Sequence, residues 1–271
     1  MKLVIEPGRG AAHYWRDLWR YRELMSFLAW RDIAVRYKQT AIGIAWALIR
    51  PLLTLAVFVA FRRMAGLQGS GDVPDVILVL AAVLPWQFFA TALSESSASL
   101  IGNTGLISKV YFPRLIIPIS AIAAAFVDFL ITLTFLAALM LWYGVAPDAR
   151  VFALPAFAAM AALLSLGLGL LMAALTVTYR DFRYVVPFMV QLGLFVSPVA
   201  FASAQVPAAW RSLYALNPMA GIIDGFRWAL LGGRTPIDAT LLGSSITVTV
   251  VALWLGTWYF RRTERGFADA I

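Results

Sequence analysis

Apolar runs long enough to cross a bilayer recur six times along the chain, separated by short clusters of turn-forming and charged residues. They cover roughly Ala41 to Phe61, Val76 to Leu100, Leu115 to Trp142, Val151 to Thr178, Val185 to Ala204 and Ala239 to Phe260. A helix needs about 20 apolar residues to cross the hydrocarbon, so each run predicts a transmembrane helix. Turn chemistry marks the breaks: GLQGSGDVPD after the first run, GNTGLISK after the second, GVAPDAR after the third and YRDFR after the fourth. The pattern predicts an all-α integral membrane protein.

Two segments depart from it. From Tyr14 to Gln39, apolar residues recur at Tyr14, Leu18, Tyr21, Met25 and Leu28, with Arg16, Arg20, Arg31 and Lys38 between them. This spacing is helical and amphipathic, and Trp15, Trp19 and Trp30 add interfacial anchors. It predicts a helix along the inner membrane surface, placed to meet a lipid-linked substrate at headgroup level. In the second segment, Ala204 to Arg234, Asn217-Pro218 reads as an N-cap with proline at the first helical position, and Gly232-Gly233 as the stop. The helix between them has about 13 residues, or ~20 Å, too short for a ~30 Å core. Crossing would also strand Arg261, Arg262 and Arg265 outside. Residues 206–231 therefore predict one or two short re-entrant helices in the outer leaflet, acting either as a plug or as a gate over a pore.

Composition excludes a soluble domain. Of 271 residues, 62% are hydrophobic and 13% charged, against about half and about a quarter in globular domains. The formal charge of +8 speaks first for orientation and for contact with anionic membrane lipids. Nucleic-acid binding is the weaker reading, because long apolar runs split the basic residues. With no cysteine, disulfides and thiolate metal sites are excluded. No cleavable signal peptide is expected, since Glu6, Asp17, Glu23 and Asp32 lie among the early arginines with no short apolar core.

Charge then sets orientation. With both termini inside, the inner segments hold fifteen Lys and Arg and the outer segments six, while Arg50 lies within the first run. That bias predicts cytoplasmic termini and an even number of spans. Arg62 and Arg63 run against it. The expected organisation is a cytoplasmic segment over 1–40, a six-helix domain over 41–260 and a cytoplasmic tail over 261–271.

The chain holds no G-x-x-x-x-G-K-[ST] phosphate loop, which excludes an ATP-hydrolysing site of that kind. His13 is the only histidine, which excludes a histidine-based metal site or triad. Glu95, Asp128, Asp181 and Asp224 lie in or near the membrane, where isolated acids are costly and usually functional. Glu95 sits in SESSAS, where helix packing competes with ion handling, and Asp128 is alone in the third run. Asn103 and Thr104 offer caps for a short helix ended by Pro113, presenting Leu106, Ile107, Val110 and Tyr111 beside Lys109 and Arg114. Tyr179 to Tyr184 sets Arg180, Asp181 and Arg183 just beneath the membrane. On physics alone, both loops are either ordinary positive-inside loops or docking elements.

The runs RYKQTAIGIAWALIRPLL, LPWQFF, GNTGLISKVYFPRLIIP, YRDFRYVVPFMVQ, SPVAF and LNPMAGIIDGFRWALLG span about Arg31 to Gly233. In content and order they resemble the permease subunit of type-2 ABC exporters for O-antigen, capsular or teichoic-acid polysaccharide. The resemblance implies six spans, an N-terminal interface helix and short gate helices before the last span. It also implies coupling helices at the two inner loops, which would put Leu106, Ile107, Lys109, Tyr111, Arg114, Arg180, Asp181 and Arg183 against an ATPase. It further implies a homodimer with two copies of a separate ABC ATPase in the bacterial inner membrane. ATP and Mg²⁺ would bind on that partner, with no cofactor or metal on this chain. FRRMAG at Phe61 to Gly66 departs from the family pattern, which has fewer cations there.

A sugar chain cannot enter lipid without losing its hydrogen bonds to water, so it needs a polar or aromatic-walled path. Aromatic faces suit sugar rings. Trp46 and Phe58 on the first run, and Phe188, Phe195 and Phe201 on the fifth, are candidates, with lipid contact or core packing as the competing reading. Arg36, Lys38 and Arg50 are candidates for the phosphate of a lipid-linked polysaccharide, although orientation and snorkelling also explain them. The outer gate would place Trp210, Tyr214, Asp224 and Arg227 near its closure, with Asp224 and Arg227 at a helical spacing that allows pairing. An ion-coupled secondary transporter stays open as the alternative, with Glu95 or Asp128 as its only material. A membrane glycosyl or phosphoryl transferase ranks third, for want of clustered acids or histidines.

Overall fold

The computed structural model describes residues 11–38, 45–66 and 73–267, and every regular element among them is helical. In chain order these are α1 (Ala11–Arg20), α2 (Arg22–Lys38), α3 (Ala45–Met64), α4 (Asp75–Gly102), the one-turn α5 (Thr104–Ile107) and α6 (Ile116–Trp142). They are followed by α7 (Leu154–Thr178), α8 (Phe182–Val196), the one-turn α9 (Arg211–Tyr214), α10 (Pro218–Leu230) and α11 (Ala239–Thr263). Among the described residues, α3, α4, α6, the segment Ala149–Thr178 that ends in α7, and α11 are long and apolar enough to cross a membrane. The expected start of the first span at Ala41, most of the break GLQGSGDVPD and the end of the tail lie outside the described residues.

The fifth expected span, Val185 to Ala204, is corrected in the extent of its helix, which covers only Phe182–Val196. Helix α8 has 15 residues, ~22 Å at 1.5 Å per residue, against a ~30 Å core. It stops at Ser197, whose extended backbone (φ −83°, ψ 153°) is what the following Pro198 favours. The chain then runs on without regular structure through the buried residues 197–200.

Helix α4 is the centre of the bundle. Most of it between Ile77 and Leu100 is buried, packed by α3, α6, α7, α8 and α10. Around it, α7 and α11 meet through small residues. Helix α11 buries Leu241, Ser245, Thr249, Ala252, Gly256 and Phe260, a stripe recurring every three or four residues. A β-carbon on Gly167 of α7 would lie 2.5 Å from the Ala252 carbonyl carbon, and one on Gly256 would run into the Gly167 carbonyl oxygen. Lipid tails are as apolar as leucine, so close backbone approach and dispersion hold such helices together. Gly256→Val is therefore expected to force α7 and α11 apart at a cost of about 1–3 kcal/mol. Thermal unfolding in detergent reads this directly, and an unchanged melting temperature would mean that the two backbones do not meet there.

Helices α1 and α2 carry hydrogen bonding through Tyr21, whose amide donates to the Asp17 carbonyl at 3.0 Å and whose carbonyl accepts from the Met25 amide at 3.1 Å. The apolar stripe expected from the sequence faces inward, with Leu28 buried and Tyr14, Leu18, Tyr21 and Met25 packed on a cluster that includes Leu100, Phe112, Ile117 and Phe260. Trp15, Trp19 and Trp30 face outward. The C-terminal turn of α2 departs from a surface position. Arg36 and Tyr37 reach Asp128 in the middle of α6, so α2 climbs against a span. The cluster holding Leu100, Phe112 and Phe260 marks the near end of the bundle. The far end carries Asp75, Ala200 and Gly232.

Candidate functional site

Two loops project at the near end. In the first, α5 is a single turn, held by the Asn103 carbonyl, which accepts from the Leu106 and Ile107 amides at 3.0 and 3.1 Å. The expected side-chain cap is corrected. The Asn103 side chain turns back to the Ser99 carbonyl (2.9 Å) and accepts from Arg31 (2.8 Å), and the helix ends at Ile107, well before Pro113. Ile107 is buried, Leu106 and Arg114 are half-buried, and Lys109, Val110 and Tyr111 are exposed. In the second loop Arg180, Asp181 and Arg183 are all exposed.

The first loop closes on a residue that sequence reasoning missed. Glu264, just beyond α11, accepts from the Arg114 amide (2.9 Å) and the Tyr14 hydroxyl (3.2 Å), and the Arg114 guanidinium donates to the Glu264 carbonyl. Arg114 also lies over the Phe267 ring at 5.9 Å, and Arg261 over Tyr14 at 4.8 Å. Burial pushes the Glu264 carboxyl above its ordinary value, opposed by those two hydrogen bonds and the nearby guanidiniums. The available signal was a lone acid in the basic run RRTERG.

Deeper in the bundle, Arg36 bridges Glu95 of α4 and Asp128 of α6, and the Tyr37 hydroxyl donates to Asp128. One planar guanidinium thus serves two carboxylates that would each be costly alone at that depth. They line a pocket of about 180 Å³ with Trp46, Arg50, Gln87 and Thr91. Gln87 donates to Thr54 at 3.1 Å. Of the three phosphate candidates, Arg36 is committed to the carboxylates. Lys38 and Arg50 are exposed, and the Arg50 guanidinium has no polar partner among the described residues.

At the far end, two buried arginines satisfy the carbonyls freed where α8 breaks. Arg227 is 2% exposed and donates to the carbonyls of Val199 (3.0 Å), Phe201 (3.0 Å) and Leu78 (3.4 Å). Arg62 is 5% exposed, donates to the Ala200 carbonyl at 2.9 Å and pairs with Asp75 at 3.1 Å. Three consecutive carbonyls are thereby bonded in a region where lipid offers no donor, and the fork geometry of arginine makes this possible. The expected Asp224–Arg227 pair is corrected: the guanidinium turns to the carbonyls instead. Arg62 no longer conflicts with the charge bias, because it is a buried structural group.

The start and stop of α10 follow the sequence. The Asn217 side chain accepts from the Met219 amide at 3.0 Å, and Gly232 and Gly233 adopt φ of 62° and 74°. Arg150 donates to the Gly232 carbonyl and lies over the Trp228 ring at 5.4 Å. Among the other gate candidates, Trp210 is exposed, and Tyr214 packs on Phe201 at 6.2 Å between ring centroids. Asp224 and Tyr214 face the Ser203 hydroxyl, although the hydroxyls of Ser203 and Tyr214 complete no hydrogen bond there. Of the path aromatics, Trp46 lines the pocket, while Phe188 and Phe195 are exposed on α8. Phe58 is corrected: it is buried in the protomer's own core.

An all-helical bundle of this kind, with a charged pocket at depth, a broken helix clamped at one end and two short loops at the other, is that of a multi-pass membrane protein. The sequence profile described as "ABC-2 type transporter" matches residues 23–231. The chain belongs to that family. It is 28% identical over 258 residues to the O-antigen export system permease protein RfbA of Myxococcus xanthus, covering 94% of this chain and 98% of the relative. A Klebsiella pneumoniae protein of the same name is 26% identical over 254 residues, covering 92% and 95%. The polysialic acid transport protein KpsM of Escherichia coli is 23% identical over 239 residues, covering 86% and 91%.

Proposed function

We propose that this chain is the membrane-spanning subunit of an ABC exporter that moves a lipid-linked polysaccharide across the bacterial inner membrane, with both termini in the cytoplasm. It works as a homodimer with two copies of a separate ATPase, which bind ATP and Mg²⁺, and it performs no catalysis itself. The observation that carries this reading is similarity along nearly the whole chain to permeases named for O-antigen export and polysialic acid transport. Helix α8 supports a second copy, since only Val186 of it is buried within one protomer. Tyr184, Phe188, Leu192 and Phe195 recur along its exposed face, a wall suited to sugar rings. Lys38 and Arg50, both exposed, are the candidates for the lipid phosphate. Lys109 and Tyr111 on the first loop, and Arg180 and Arg183 on the second, are the residues that meet the ATPase in this reading, which their exposure supports.

The purified chain is expected to hydrolyse no ATP until a separate ATPase subunit is added. Lys109→Glu or Arg183→Glu should uncouple hydrolysis from export while leaving insertion unchanged. Appreciable turnover by the isolated chain, free of contaminants, would refute the division of labour. Normal export by both charge-reversed variants would reduce the loops to topology signals.

A further inference from the structure

We propose that Glu264 is a positioning residue that joins the first loop, between α4 and α6, to both terminal segments of the chain, so that the three move as one body. This rests on the loop being the ATPase-docking element. One oxygen of Glu264 accepts from Tyr14, 250 positions away, and from Arg114, 150 positions away. Arg114 closes the joint through the Glu264 carbonyl and the Phe267 ring. Phe267 packs edge-on to Phe260, with ring centroids 5.3 Å apart, in the buried near-end cluster. The other end of the loop is held too, because Arg31 of α2 donates to Asn103 at 2.8 Å. Between these two anchors, Lys109, Val110 and Tyr111 stand exposed.

A load applied to that exposed tip enters α4 and α6, which the loop joins, and has two further outlets. Through Asn103 and Arg31 it reaches α2, whose last turn holds the Arg36 bridge. Through Arg114 and Glu264 it reaches α1 and the end of α11. The second loop differs. Among the described residues, Arg180, Asp181 and Arg183 make no ion pair, so that loop acts through α7 and α8, the helices it joins. The first loop has side-chain ties that the second lacks, and Glu264 links its stroke to the termini.

The chain has no native cysteine, so Arg16→Cys and Ser108→Cys, both at exposed positions, can carry spin labels in the full complex. The expected distance distribution between them is the same in the nucleotide-free and ATP-trapped states. Glu264→Ala should broaden it and lower export about tenfold, with the ATPase still bound and hydrolysing. Glu264→Gln keeps an acceptor oxygen and should restore both readouts. Tyr14→Phe removes one hydrogen bond and should give a smaller loss of the same kind. A label distance that changes on ATP trapping in the otherwise unmodified protein overturns the proposal. So does unchanged export and distance in Glu264→Ala and Tyr14→Phe, or loss of the ATPase from Glu264→Ala, which would make the residue part of the docking surface. The docking reading fails separately, if Lys109→Glu leaves ATPase binding and coupling intact.

Discussion

Replacing Arg227 with alanine is expected to leave little folded protein in the membrane. The guanidinium serves three backbone carbonyls at 3.0, 3.0 and 3.4 Å, and residues 197–200 have no helix to retreat into. The Leu78 carbonyl keeps its donor within α4, but those of Val199 and Phe201 would be left unbonded, at roughly 1–3 kcal/mol each. That loss is a large share of the stability of many domains, about 5–15 kcal/mol. Arg227→Lys should fall between, since an ammonium is a point charge and cannot fork across several carbonyls. Size-exclusion profiles and melting temperatures of the solubilised variants rank the three. If Arg227→Ala melts within a few degrees of the parent, the carbonyls have another donor and the clamp is incidental. A pair of exposed opposite charges can be displaced easily, whereas this arginine fixes its segment. If this end opens for a substrate, we expect residues 204–216, which are mostly exposed, to move rather than α10.

Arg36→Ala should be nearly as damaging, for the opposite reason. It removes one cation from two carboxylates, Glu95 and Asp128, that have no other cation bonded to them among the described residues. Removing one partner of a buried ion pair costs about 3–5 kcal/mol, lessened here because each side chain keeps some exposure. Neutralising the acids as well, in Arg36→Met with Glu95→Gln and Asp128→Asn, is expected to restore the folded protein. That triple variant also separates the mechanisms. In an ATP-driven exporter it should retain export, because the cluster is structural. In an ion-coupled transporter it would fold and carry nothing. The second outcome would sink the reading of Arg36 as a brace.

Elements governed by neighbouring residues were legible in the sequence. Asn217, Pro218 and the paired glycines bracket α10 as expected, because caps and positive φ are local requirements. The long spans fall close to the runs of apolar residues, because lipid leaves the backbone no alternative to a helix. Contacts between distant residues were not legible. Nothing near Arg227 in sequence announces that its partners are the carbonyls of residues 199 and 201, and the obvious partner, Asp224, is one turn away. The shortness of α8 was hidden because SPVAF is as apolar as a span. Its one local sign was Pro198, which discourages helix at Ser197. Arg62 did leave a trace, as a cation on the wrong side of the charge balance. Burial against Asp75 and Ala200 accounts for it.

The Arg62 contacts also carry a clock, because a membrane protein is made from one end. Asp75 follows Arg62 by 13 residues, while Ala200 follows it by 138. The nascent chain can therefore neutralise this arginine at once, inside a newly made hairpin. Its remaining hydrogen bond must wait until most of the protein has left the ribosome. Arg227 arrives later still, 28 residues after Val199, the first of its acceptors in the broken end of α8. The carbonyls of Val199 and Phe201 are thus exposed to the insertion machinery before their donor Arg227 exists, and α10 seals them afterwards. In biogenesis α10 acts as the closing stitch.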